Sequence, residues 1–299
     1  MGVARQKTLK APIRCRGVGL HCGLKVAMTL VPAPPDSGIR FRRPDLGVEL
    51  AATWRNLADS ALCTTLATDR AAVATVEHLM AAFAGLEVDN AVVELDGPEV
   101  PAMDGSAAPF VYLIERAGLM EQDAPRRAIE VLKPVRVAVD GKSASLEPAA
   151  VFALSFDMDF AGSALMRQKL TVVVDPAGFK HDICRARTFG FLEEVESMRA
   201  AGLARGGSLD NAVVISGEHV LNAEGLRYGD EFVRHKLLDA IGDLYLAGGP
   251  ILGRFEGCRS GHALNRLLLQ RLFADPSAWR YANLAALAED WEEPRRASA

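Results

Sequence analysis

The stretch from Asp230 to Ala247, DEFVRHKLLDAIGDLYLA, constrains the fold more than any other part of this sequence. At about 100° per residue on a helix, Asp239 falls about 40° from His235, Asp243 about 80° and Lys236 about 100°. Val233, Leu237, Leu238, Ala240, Ile241, Leu244 and Tyr245 take the rest of the circumference. A helix apolar on most faces cannot lie on a surface, so other layers must cover it and its narrow polar stripe must face a cavity. A His and an Asp one turn apart project over the same patch and can reach one ion. The same residues also suit a solvated face laced with charge pairs.

The rest of the chain supplies strands and helices for such layers. Short strands are predicted at Thr8 to Arg16, Lys25 to Val31 and Gly38 to Arg43, with a glycine-rich turn, GVGLHCG, after the first. From Thr75 the period becomes helical: TVEHLMAAFAGL places Val76, Leu79, Met80 and Phe83 on a helix between a Thr N-cap and Gly85. A strand at 90–95, a tight loop DGPEVPAMDGS and a helix ending near Gly118 follow. MEQDAPRR, 120–127, is polar, contains Pro125 and reads as a linker. Beyond it come strands to about Asp175, a helix after ARTFGF, a strand at NAVVI, the 230–247 helix, and a helix through ALNRLLLQRLF. The expected class is α+β, with two tandem similar domains, 1–126 and 127–280, each layering helices against sheet. Residues 281–299 form a C-terminal segment and polar tail. A length of 299 residues, about twice an ordinary domain, agrees with two.

A net charge of −4 removes the electrostatic case for nucleic acid. No apolar run approaches a membrane span, and the first residues lack the apolar stretch of a signal peptide, so stable membrane insertion is not expected and a cytoplasmic protein is. Five scattered cysteines without a CxxC suggest neither a disulfide framework nor a thiolate metal site, leaving His and carboxylates as metal ligands.

Two ionisable residues, Glu77 and His78, interrupt the apolar 75–85 helix; burying them is costly unless they are paired or ligating. Adjacent residues point about 100° apart, so His78 can bind a metal while Glu77 reaches a water beside it. A core histidine with an exposed Glu is the plainer alternative. Ser260-Gly261-His262 follows a strand and opens a helix, where a His can meet anions or act on substrate, or simply belong to a capping loop. His21 lies in the glycine turn, whereas His181 and His219 fall in polar loops and are expected to be exposed.

QKTLKAPIRCRGVGLHCGLKV, TVEHLMAAFAGLEVDNAVVEL, EVPAMDGSAAPFV, ARTFGFLEEVESMRAAGLARGGSLDNAVV, DEFVRHKLLDAIGDLYLAG and SGHALN occur in that order. In these blocks the chain resembles the zinc-dependent UDP-3-O-acyl-N-acetylglucosamine deacetylases of lipid A biosynthesis, over nearly its whole length. The resemblance implies an active site at the junction of two tandem domains. It implies hydrolysis of the N-acetyl group of UDP-3-O-[(3R)-3-hydroxyacyl]-N-acetylglucosamine, with Zn2+ as cofactor and that nucleotide sugar as partner. By position it implies His78, His235 and Asp239 as zinc ligands, Glu77 as general base, and His262 as general acid oriented by Asp243. Thr188 and Lys236 match groups that stabilise the oxyanion or bind substrate, Phe189 a ring lining the sugar region, and Phe160 an aromatic near the uridine. Residues from about Phe191 to Val214, with Leu203, match the acyl-chain passage, and Arg259 a diphosphate contact. Arg205 and Arg266 depart from the family's usual residues, which bears on chain-length preference and product contacts. Cys63, in ALCTT, matches a site-proximal thiol in some relatives and equally suits a small buried side chain. The rival readings are a zinc amidohydrolase of another nucleotide-sugar or acylated substrate and a catalytically silent binding protein. A silent binder has no need of an acid and a base beside three ligands. A monomer is expected.

Overall fold

The computed structural model describes residues 4–60, 62–159 and 164–284. Phe160 and the tail beyond residue 284 therefore lie outside the described residues. The first half contains β1 (Arg5–Leu9), β2 (Ile13–Val18), β3 (Lys25–Pro32), β4 (Ile39–Arg43), β5 (Val48–Ala51), β6 (Leu66–Ala67), β7 (Ala72–Val73), α1 (Glu77–Gly85), β8 (Ala91–Leu95), α2 (Ala108–Ala117) and β9 (Leu119–Pro125). The second contains β10 (Arg127–Val131), β11 (Val135–Val139), β12 (Lys142–Glu147), β13 (Phe152–Asp159), β14 (Arg167–Val173), α3 (Pro176–Gly178), β15 (Phe189–Phe191), α4 (Leu192–Ala200), β16 (Val213–Ser216), β17 (His219–Val220), α5 (Glu231–Tyr245), β18 (Ile251–Cys258), α6 (His262–Ala274) and β19 (Trp279–Asn283). This is the expected α+β class.

The halves share a plan. In the five-stranded sheet, ordered β2-β3-β8-β4-β5, the strand after α1 lies between an antiparallel neighbour, β3, and a parallel one, β4. In the seven-stranded sheet the strand after α5, β18, likewise pairs antiparallel with β12 and parallel with β13. A helix follows each of these strands, α2 or α6. Both site-bearing helices are thus the same element of a repeated unit, although no residue-level repeat is visible. Both are enclosed: eight of nine residues of α1 and thirteen of fifteen of α5 are buried.

Three local expectations are corrected. Thr8 to Arg16 is two strands rather than one, because Pro12 offers no N–H and the Lys10 N–H turns to the Gly118 carbonyl. The polar linker at 120–127 is largely strand β9, pairing antiparallel with β1; its alternating burial leaves Gln122 and Ala124 inside and the charged residues out. Thr75 does not cap α1: it has φ +57°, its hydroxyl donates to Glu99 Oε1 at 2.8 Å, and Val76 occupies the cap position. Among the described residues no strand pair crosses between 126 and 127, and β19 carries the second sheet on to Asn283.

Candidate active site

The site begins with a close helix crossing. Gly242 of α5 faces the backbone of α1 so tightly that a Cβ there would lie 2.0 Å from the Glu77 carbonyl oxygen and 3.0 Å from the Ala81 nitrogen. Only glycine permits this approach. It sets the first turn of α1, carrying Glu77 and His78, beside the α5 stripe of His235, Asp239 and Asp243, all buried. The Tyr245 hydroxyl donates to the Val88 carbonyl at 2.9 Å and fixes the far end of the crossing.

Ligand atoms of His78, His235 and Asp239 all lie within 4.8 Å of one another. His235 Nε2 is 3.3 Å, and His78 Nε2 3.6 Å, from Asp239 Oδ1. A tetrahedral ion with bonds of about 2.1 Å separates its ligands by about 3.4 Å, so both distances suit a shared metal. The chemistry of the donors agrees. Asp239 Oδ1 is buried without a hydrogen-bond partner, while Oδ2 accepts from Lys236 Nζ at 2.7 Å. An orphaned carboxylate oxygen turned toward two imidazole nitrogens is costly unless a cation lies between them. His235 Nδ1 lies 3.0 Å from the Ala186 carbonyl and donates to it, which leaves Nε2 with its lone pair toward Asp239. Burial pushes the His235 imidazole down to about 4, keeping it in the neutral, ligating form. Burial would raise Asp239, but His235 and Lys236 outweigh it and hold the carboxyl well below the usual range. Burial likewise opposes the Lys236 ammonium, and Asp239 outweighs it, raising the lysine.

Next to this trio stand the groups suited to proton transfer. Glu77 Oε2 accepts the Thr64 N–H at 3.0 Å, while Oε1 lies 3.8 Å from His262 Nε2. Burial raises the Glu77 carboxyl, against the pull of His262 and His78. His262, the first residue of α6, donates from Nδ1 to Asp243 Oδ2 at 2.8 Å. Burial opposes its charged form, but Asp243 prevails and the imidazole is pushed up to about 9. Asn265 Nδ2 also donates to Asp243 Oδ2, at 2.9 Å. The stripe read from α5 therefore divides in two: Asp239 faces His78 and His235, and Asp243 holds His262.

Of the remaining candidates, Phe189 has a ring contact with the trio. Phe189 packs edge-on against Phe232, ring centroids 5.0 Å apart, with its ring 6.2 Å from that of His235. Thr188 is half-buried, and its backbone bridges Gly105 and Val213. Helix α4 has no fully buried residue; Phe191, Val195, Met198 and Leu203 are half-buried, and the segment after it lies along the glycine turn through Arg205 N–H to His21 O and Gly206 N–H to Leu20 O. His21 is itself buried near His78 and His262, and burial lowers its imidazole. His181 and His219 are exposed as expected. Arg259 is exposed, at φ +50°, with Nη2 on the Gly141 carbonyl at 2.8 Å. Arg266 pairs with Asp59 at 2.8 Å. Cys63 is buried and its thiol is pushed up to about 11 by burial and then Glu77, so it is no thiolate. Sequence reasoning missed Thr64 and Asn265. Asn265 falls one turn after His262 and so had a positional signal; Thr64, in a short irregular segment, had none.

A profile of the family described as UDP-3-O-acyl N-acetylglycosamine deacetylase matches residues 6–274. Proteins named UDP-3-O-acyl-N-acetylglucosamine deacetylase are similar over more than nine-tenths of the chain. One from Saccharophagus degradans is 50% identical over 279 residues, covering 92% of each chain. One from Legionella pneumophila strain Corby is 49% identical over 281 residues, 93% of this chain and 92% of the relative. One from Stenotrophomonas maltophilia is 50% identical over 283 residues, 93% of each.

Proposed function

The chain belongs to the UDP-3-O-acyl N-acetylglycosamine deacetylase family, and from that premise we propose that it removes acetate from UDP-3-O-[(3R)-3-hydroxyacyl]-N-acetylglucosamine, a step of lipid A biosynthesis. The observation that carries the reading is the orphaned Asp239 Oδ1 beside His78 and His235, with a separate base and acid within 4 Å of each other. His78, His235 and Asp239 would hold a metal ion, which we take to be Zn2+. Three protein ligands leave a coordination place open, as catalytic zinc requires. When bound, the ion supplies Lewis acidity, bringing the pKa of water toward about 7 and polarising an amide carbonyl.

The other steps fall to side chains. Glu77 Oε1 takes a proton from the attacking water, and burial raises the affinity of this carboxylate for it. His262, charged and held by Asp243, gives a proton from Nε2 to the glucosamine nitrogen as the C–N bond breaks, so the amine leaves neutral and acetate keeps the water's oxygen. Lys236 fixes Asp239 through Oδ2 and adds positive charge beside the reacting carbonyl, with the Thr188 hydroxyl as a further donor. Phe189 lines the sugar region and Arg259 meets the diphosphate. The half-buried strip of Phe191, Val195, Met198 and Leu203 takes the acyl chain.

Residues 1–126 and those from 127 through the end of β19 at Asn283 act as two domains with the site between them. Among the described residues no helix is long and apolar enough to cross a membrane; we place the enzyme in the cytoplasm as a monomer. Mass spectrometry of products from acylated and acyl-free UDP-N-acetylglucosamine tests the reading. Acetate release from the acylated substrate is expected, with affinity favoured by about 0.8 kcal/mol per buried methylene. Equal handling of the two substrates would remove the acyl passage, and no release would remove the activity.

A further inference from the structure

We propose that Thr64 is a positioning residue that decides which atom of the base and which atom of the acid handles a proton. The inference rests on the roles given above to Glu77 and His262, and it concerns a residue that neither periodicity nor motif singles out. Thr64 is 4% exposed and stands at the entrance to α1, where its carbonyl accepts the Val76 N–H at 3.2 Å. Three further contacts leave it. Its N–H donates to Glu77 Oε2 at 3.0 Å, its hydroxyl donates to Asp243 Oδ1 at 2.5 Å, and the same hydroxyl oxygen lies 3.1 Å from His262 Nδ1. One buried residue thus touches base, acid and the carboxylate that orients the acid.

The direction of each bond follows from the inventory of protons. A hydroxyl has one proton, and an ionised carboxylate has none to give, so the Thr64 proton lies toward Asp243. The lone pairs of the hydroxyl then face His262 Nδ1, which must carry a hydrogen, shared between Asp243 Oδ2 at 2.8 Å and Thr64. Nδ1 is therefore the permanently protonated nitrogen and Nε2 the one that gains and gives the catalytic proton. Nε2 is the atom turned toward Glu77 Oε1 and Asp239 Oδ2, at 3.8 and 3.9 Å. On the base, the backbone N–H occupies Oε2 and leaves Oε1 free for the water. Asn265 holds Asp243 in place independently, so losing the Thr64 hydroxyl need not displace the carboxylate.

Thr64→Val removes the hydroxyl and keeps the shape; Thr64→Ser keeps the hydroxyl and removes the methyl. Both are assayed for kcat, KM and metal per chain, and in 15N-histidine-labelled protein the His262 Nδ1 resonance is followed at fixed pH. Expected for Thr64→Val is a kcat lower by about ten- to a hundredfold, the weight of one hydrogen bond to a charged group. KM and metal content stay unchanged, and the Nδ1 resonance moves. Thr64→Ser restores both kcat and resonance. Wild-type kcat and resonance in Thr64→Val would overturn the inference, and so would a Thr64→Ser variant as impaired as Thr64→Val, because the methyl packing would then be what matters. If the unaltered protein released no acetate, the activity would fail on that result, while the resonances would still decide the role of Thr64.

Discussion

Gly242→Ala separates two opposite expectations about α5. In an exposed helix interior, alanine is favoured over glycine by about 1 kcal/mol, so an unconstrained Gly242 would give a more stable protein when replaced. Here the added Cβ would stand 2.0 Å from the Glu77 carbonyl oxygen, against 3.4 Å for ordinary contact. The helices must therefore part by about 1.4 Å, and the obstacle is backbone rather than a side chain that can rotate. Forced overpacking costs typically 1–3 kcal/mol, which exceeds the gain in helix propensity. The functional consequence is larger. Metal sites tolerate deviations of about 0.2 Å in ligand distance, and the shift falls on the turn that carries Glu77 and His78. Expected are a lower unfolding free energy and substoichiometric metal, measured by denaturant titration and by elemental analysis after gel filtration. A Gly242→Ala protein that is more stable and binds one metal per chain would refute the crossing as the device that assembles the site.

Other perturbations address the acid and its frame. Asp243→Asn removes the charge that holds His262 up to about 9. A rate that needs protonated His262 falls as pH rises through its pKa, so the alkaline limb of the kcat profile should move to lower pH; an unmoved limb counts against Asp243 as the cause. Arg187, buried between Ala186 and Thr188, donates from Nε to fully buried Glu231 Oε1 at 2.9 Å. Glu231→Gln removes the buried carboxylate while Arg187 keeps Glu224 at 2.6 Å and the Gly225 carbonyl at 2.7 Å, and should cost about 1.5–3 kcal/mol. It should also loosen the Ala186 carbonyl that orients His235, and unchanged stability would show that the pair is solvated. His78→Ala should lose metal and activity together, since it would remove one of the three proposed ligands.

The parts of the site that were legible in the sequence are those a regular helix displays. The α5 stripe follows from a constant angle per residue, and its enclosure from apolar residues on every other side. Which partner each member of the stripe serves followed from the family resemblance and not from the helical period, because the division of Asp239 from Asp243 depends on α1 and α6 arriving from residues 77 and 262. Thr64 stayed invisible for the same reason: its hydroxyl partner lies 179 residues away and its own segment has no period. Strand β9 was misread because its charged residues face solvent and its one proline falls at its end, where a strand tolerates it. Thr75 carried a cap signature that lost to a tertiary contact with buried Glu99, which also accepts the His21 and Cys22 N–H groups. The repeated α–β–α unit is a matter of strand pairing and leaves no trace in residue identity.

The central claim is that three side chains hold the metal while two others move protons. Metal content and kcat measured together on Glu77→Ala and His262→Ala test it most directly. Both proteins should keep about one metal ion per chain while kcat falls by about a hundredfold to ten-thousandfold, the range for losing a positioned base or acid. Loss of metal in parallel with activity in His262→Ala would make His262 a ligand and contradict the division of labour, as would full activity in either variant.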